Sequence, residues 1–193
     1  MKNIYQILFP VLLFYSGCSL FDAESKPLEP IQTYFYAEIN GERFDANGGN
    51  AAITSANGYS MLDFGGSYYA EELFPYRESV AFSIIYTETT TTYPLQLDSA
   101  LTKNLGFNIP SAAYYENDGD VVISHFRKPH ESDGFVTVEL EELEDGRKTI
   151  SGTFEMTVYL NKRIETAFPQ QEQDTLIITN GQYLLELRDF RDE

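Results

Sequence analysis

Ile150-Ser151-Gly152-Thr153-Phe154-Glu155-Met156-Thr157-Val158-Tyr159-Leu160 alternates without a break: the even positions are apolar or Gly, the odd ones polar or Tyr. A helix needs apolar residues three and four apart, whereas strand side chains change face at every residue. The stretch predicts a long strand with Ile150, Phe154, Met156, Val158 and Leu160 turned to a core. Upstream, Val136, Val138 and Leu140 share one face, and Thr137, Glu139 and Glu141 the other. A two-residue turn at Asp145-Gly146 would set Leu140 opposite Ser151, on the wrong face. A three-residue loop, Glu144-Asp145-Gly146, sets Leu140 opposite Ile150 and Val136 opposite Phe154, so Gly146 is expected left-handed in a bulged hairpin. At Asn180-Gly181 the same test favours a two-residue turn, pairing Ile178 with Tyr183 and Leu176 with Leu185.

Outward from this hairpin the pattern repeats. Strands are expected at 33–39 and 42–46 around Asn40-Gly41, at 51–55 and 59–64 around Asn57-Gly58, at 79–87, and at 112–116 and 121–126 around Asp118-Gly119. Five Asn-Gly or Asp-Gly pairs flanked by apolar residues are the signature of hairpins. Two stretches depart from it. Asp98-Ser99-Ala100-Leu101-Thr102-Lys103-Asn104-Leu105-Gly106 has a capping Asp, a Leu pair four apart and a closing Gly, and reads as a short helix. Residues 67–76 read as a loop with one helical turn, and 163–173 as a long connection. The fold class expected is all-β: an antiparallel β-sandwich or flattened β-barrel of about eight to ten strands, in the usual range of sheet sizes, with one short helix.

The N-terminus sets the location. Lys2 precedes an apolar run from Ile4 to Tyr15, too short for a membrane-spanning helix, which needs about 20 residues. Ser16-Gly17-Cys18 follows, and Cys18 is the chain's single cysteine. The layout resembles the bacterial lipobox, where cleavage leaves an acylated cysteine first, although Tyr15 stands where Leu is usual. An ordinary secretory signal cut nearby is the alternative. The expected organisation is a lipoprotein signal peptide over 1–17, a lipidated Cys18 with an extended tether over 18–32 containing Pro27 and Pro30, and one all-β domain over 33–193. A lone cysteine makes no internal disulfide, so the domain must be stable without one.

The 193-residue chain carries 13 Lys and Arg against 30 Asp and Glu, a net charge of −17. Such an excess repels nucleic acid and anionic headgroups alike, leaving acyl chains on Cys18 as the expected membrane contact.

Cys18, Ile39-Asn40-Gly41 with Phe44, Ile150-Ser151-Gly152-Thr153-Phe154 and Ile178-Thr179-Asn180-Gly181 together resemble uncharacterised small cell-envelope lipoproteins of Bacteroidota-type bacteria, over roughly residues 34–187. The resemblance implies an outer-membrane, lipid-anchored β domain, periplasmic or surface-facing, and transfers no catalytic residue. It also implies that Asp98-Ser99-Ala100 and Asp174-Thr175-Leu176 are O-glycosylation sequons, on Ser99 and Thr175. Asp98 is equally explained as a helix cap.

No catalytic constellation is visible. There is no Gly-x-Ser-x-Gly elbow, and Cys18 is consumed by the anchor. His125 and His130, with Asp133, are too few for a metal site and read as part of a basic loop. Asn117-Asp118-Gly119-Asp120 lacks the spacing of a calcium loop. No cofactor is expected. Phe82, Phe135, Phe154 and Tyr183 fit core positions. Tyr68-Tyr69 and Tyr114-Tyr115 are adjacent pairs of which one member each should face outward, with Asn and Asp nearby, so all four are candidate ligand contacts. The absence of Trp weighs against a glycan. The function expected is a non-enzymatic binding or accessory module for a glycan or envelope protein. The alternatives are a barrel carrying a small apolar ligand and, third, a hydrolase built on paired carboxylates. Mass spectrometry of the protein from native membranes should show a chain beginning at an acylated Cys18; retained residues 1–17 or a free Cys18 thiol would refute the anchor.

Overall fold

The computed structural model describes residues 28–69, 76–89, 91–96, 98–128, 133–164 and 170–191. The expected signal peptide, Cys18, most of the expected tether, His130 and residues 70–75 of the loop expected over 67–76 lie outside the described residues; residues 67–69 and 76 of that span are strand rather than loop, since the neighbouring alternation carries the pairing on. Among the described residues the strands are β1 (Tyr34–Ile39), β2 (Glu42–Asp45), β3 (Gly48–Ala56), β4 (Tyr59–Tyr69), β5 (Tyr76–Ile85), β6 (Thr92–Pro94), β7 (Ser111–Asp118), β8 (Val121–Arg127), β9 (Gly134–Thr137), β10 (Glu139–Glu142), β11 (Lys148–Arg163) and β12 (Thr175–Asp189), with one helix, α1 (Ser99–Leu105). The protein is all-β, as the alternation implies. Among the described residues its 12 strands exceed the expected eight to ten: β6, of three residues, is too short for a period to register, and the strand expected to carry Val136, Val138 and Leu140 is divided into β9 and β10.

β11 and β12 are the spine, paired antiparallel from Lys148↔Leu187 to Tyr159↔Thr175. The ladder then returns on itself through β12, β3, β4, β5, β7, β8 and β11. One seam in this ring is parallel, Leu187↔Ala51 to Asp189↔Ile53, so the sheet is mixed. β1–β2 branch from β12, and β10 and β9–β6 from β11. These branches make the architecture sandwich-like rather than a clean barrel. The inner faces enclose one core, in which Phe35, Phe64, Phe82, Phe154 and Tyr183 pack with ring centroids 4.8–6.4 Å apart. Phe135 departs from the expected core set: it pairs with Glu155 on the opposite face from Val136 and is half-buried.

Local chemistry explains the turns. Asn40-Gly41 (φ 52° and 84°) and Asn57-Gly58 (φ 49° and 81°) are left-handed at both residues, the backbone a type I′ turn demands. Leu140 pairs with Ile150 and Val136 with Phe154, and Gly146 has φ 83°, as the register argument requires. Leu140 is nonetheless exposed, because β10 has no second partner strand. Asp98 caps α1 by accepting from Ala100 N and Leu101 N, and Gly106 closes it at φ 79°. Leu101 and Leu105 of α1 pack on Met61, Ile85 and Ile109, outside the ring.

Asn180-Gly181 corrects the sequence reading: it is no hairpin. β12 runs straight through it, and the pair forms a bulge against both neighbours, β1 and β11. Asn180 takes the left-handed backbone (φ 52°) and donates Nδ2–H to Glu38 Oε2 at 3.0 Å. Gly181 lies under the Phe154 ring, where a Cβ would stand 2.5 Å from Cδ2 and Cε2.

Gly181→Ala is therefore expected to cost about 1–3 kcal/mol through overpacking, lowering Tm by roughly 3–10 °C in thermal unfolding. Gly146→Ala, which meets open space but keeps a left-handed backbone, should cost about 1 kcal/mol.

Candidate functional site

The outer face of β3, β4, β5 and β7 is built of short side chains. Strand pairing sets them in rows: Asp63, Ser83 and Ser111; Gly65, Ala81 and Ala113; Ser67, Ser79 and Tyr115; Tyr69, Arg77 and Asn117. Rows two residues apart are about 7 Å apart along the strands. The cause is readable in β5, where large and small alternate: Val80, Phe82 and Ile84 are buried in the core, leaving Ser79, Ala81 and Ser83 outside. On β4, Gly65 is obligatory, since a Cβ there would stand 2.3 Å from Val80 O. The outcome is a trough of about 310 Å³ floored by these residues, with Asn50 and Asp63 on one side and Tyr115 on the other.

Hydroxyls line it. Ser67 Oγ and Ser79 Oγ are 2.9 Å apart, and Ser83 Oγ donates to Asp63 Oδ1 at 2.5 Å. Tyr115 stacks on His125 of β8, with centroids 4.6 Å apart and planes 15° apart, forming a stiff aromatic wall. Burial first, then Arg127, holds His125 below its ordinary pKa, so at pH 7 the ring is neutral. Burial raises the Tyr115 pKa, so its hydroxyl keeps its proton.

The four tyrosines singled out from the sequence separate. Tyr115 lines the trough. Tyr69 is exposed at its end, where its backbone is held by Asn47 (both bonds 2.9 Å) and its ring lies 5.6 Å from the Arg77 guanidinium. Tyr68 is also exposed but belongs by alternation to the opposite face. Tyr114 must be withdrawn as a surface contact: it is 0% exposed, pairs with Phe126 and packs on its ring at 5.8 Å. Its position follows from the β7–β8 register, which sends Tyr114 inward and Tyr115 outward.

A second aromatic surface escaped the sequence reading. Tyr34 and Tyr36 stack side by side on β1 (5.7 Å), Arg43 lies 4.1 Å over Tyr36, and the Tyr36 hydroxyl donates to Gln182 Oε1. The period-two pattern Tyr34, Tyr36 around Phe35 was the available signal.

The interior is filled by aromatic and aliphatic side chains, which leaves an apolar-ligand barrel without a chamber among the described residues. Glu78 and Glu116 are direct partners across β5 and β7. Such partners hold Cβ atoms about 4.5–5.5 Å apart, a spacing compatible with paired-carboxylate chemistry. Glu116, however, is 0% exposed and accepts from Gln171 N at 2.7 Å, while Gln170 Nε2 donates to Ser124 Oγ beside it. A substrate cannot reach it. Among the described residues no group of three His, Cys, Asp or Glu is placed to hold a metal. Ser99 is exposed on α1, and Thr175 is half-buried at the start of β12.

Searches against family models, curated proteins and solved structures each returned no match. The functional argument therefore rests on the site itself.

Glu116 fastens the 170–174 connection to the ring's end. Hydrogen exchange at the Gln171 amide should quicken at least tenfold in Glu116→Ala and stay slow in Glu116→Gln, which keeps the acceptor oxygen. Equal exchange in both variants would show that the bond holds nothing.

Proposed function

We propose that this chain is a non-enzymatic binding module of the cell envelope, carried on acyl chains at Cys18, that takes a saccharide in the trough on its outer sheet face. The observation that carries the reading is the composition of that trough: a flat, hydroxyl-lined floor beside the Tyr115–His125 stack. Serine hydroxyls donate or accept as required, matching sugar hydroxyls that do the same. An aromatic ring supplies the apolar surface on which the C–H face of a pyranose rests. A flat protein surface would leave the recess empty. Envelope location rests on the Cys18 segment and on the resemblance it shares.

A protein partner is the second reading, favoured by exposed Tyr34 stacked on half-buried Tyr36 with Arg43 above it, the residue types that anchor interfaces.

A thermal-shift screen of the full protein against oligosaccharides tests the first reading. At about 100 times Kd a true ligand stabilises by about 2.7 kcal/mol, which raises Tm by roughly 5–10 °C. Tyr115→Ala and the trough-filling Ala81→Leu should each weaken binding at least tenfold while leaving the fold intact. Undiminished binding in both variants would move the site elsewhere.

A further inference from the structure

We infer that the saccharide taken by the trough is anionic, a sugar bearing carboxylate or sulfate groups, and that Arg127, Lys162 and Arg77 receive its charges. The inference rests on the trough being a saccharide site.

Its basis is the set of cations that strand register places on the outer face around the trough. Five basic side chains of the chain are tied to carboxylates: Arg43 to Asp45 (2.6 Å), Arg147 to Asp145 (2.6 Å), Lys148 to Asp189 (3.6 Å), Arg163 to Asp174 (3.4 Å) and Arg191 to Asp189 (2.6 Å). Among the described residues Arg77, Lys103, Arg127, Lys162 and Arg188 have no ion pair; Lys103 is on α1 and Arg188 pairs with Ala52 on the Asp63 side, whereas Arg77, Arg127 and Lys162 share the outer face with Tyr115 by strand register. Arg127 sits between Ala113 of the floor and Tyr159, which is 43% exposed. Lys162 pairs with His125, the outer half of the stacked wall. Arg77 lies one row beyond Ser79 on β5, its guanidinium donating to the Tyr69 hydroxyl at 3.3 Å.

Lys162 reaches this face only through an irregularity. Strict alternation after Tyr159 would turn residue 162 inward with Leu160. The β11–β8 register shifts between Leu160 and Lys162, and the shift turns Lys162 outward beside His125. Bulges of this kind re-aim a side chain. Asp63 is the one carboxylate in the lining. It lies on the far side and already accepts from Ser83.

The net charge of −17 does not forbid an anion here. At physiological ionic strength charges farther than about 8 Å are largely screened, so the three local cations govern the approach. Tyr115, His125 and Tyr159 supply stacking between them, and the row spacing of about 7 Å suits successive sugar units rather than one small ion.

Calorimetric titration of the full-length protein in detergent decides the matter, using a galacturonic acid trimer and a neutral galactose trimer. The acidic trimer should bind at least tenfold tighter in 0.05 M salt, and the difference should shrink toward nothing in 0.5 M salt. Arg127→Gln and Lys162→Gln should each lose several-fold for the acidic trimer alone, whereas Lys103→Gln on α1 should change neither. Equal affinity for the two trimers would overturn the anionic assignment and leave the saccharide reading standing. Binding of neither would overturn both. Acidic binding unchanged in the Arg127→Gln, Lys162→Gln double variant would also overturn it, by placing the charge contacts elsewhere.

Discussion

The fold depends on the contact between the Phe154 ring and the bare Cα of Gly181. β11 and β12 are the longest strands and are paired along nearly their whole lengths, so a regular pair would present one uniform ribbon. The extra residue at Asn180 breaks that uniformity against β1 and β11 at once. Bulges bend strands and raise their twist, and β12 pairs with β1 on both sides of this bulge before it pairs with β3 at Leu187–Asp189. Phe154 then fills the space and meets Phe35, Phe82 and Tyr183 in the common core.

This position also shows where sequence reasoning succeeds and stops. Asn40-Gly41, Asn57-Gly58 and Asn180-Gly181 share a dipeptide and a left-handed Asn, so local chemistry is the same in all three. What differs is the context: β12 has partners on both sides, β11 and β1, and cannot double back on itself, and one of them, β1, lies more than a hundred residues away. At Asp145-Gly146 the register could be tested against an uninterrupted alternation nearby, and there the sequence was sufficient. β6 was illegible for a simpler reason, since three residues do not establish a period.

The site was legible only in its parts. Alternation within Tyr114-Tyr115 says that one ring is inward but not which; the pairing of Tyr114 with Phe126 decides it. Serine, alanine and glycine read singly as turn or filler. They become a floor because β4, β5 and β7 place them in register, each opposite a large core residue on the inner side. The depth of the trough is thus the complement of a crowded interior.

The closing strand has a consequence for how the chain acquires its shape. β1, β3 and β11 all take hydrogen bonds from β12, which spans residues 175–189. Until those residues are present, the first strand has no long partner and the ring stays open at its seam. Contacts of such sequence separation come late and slowly. A chain of this design keeps its first strand unclasped until residues 175–189 can dock, so closure of the ring is the step on which the rest of the sheet waits.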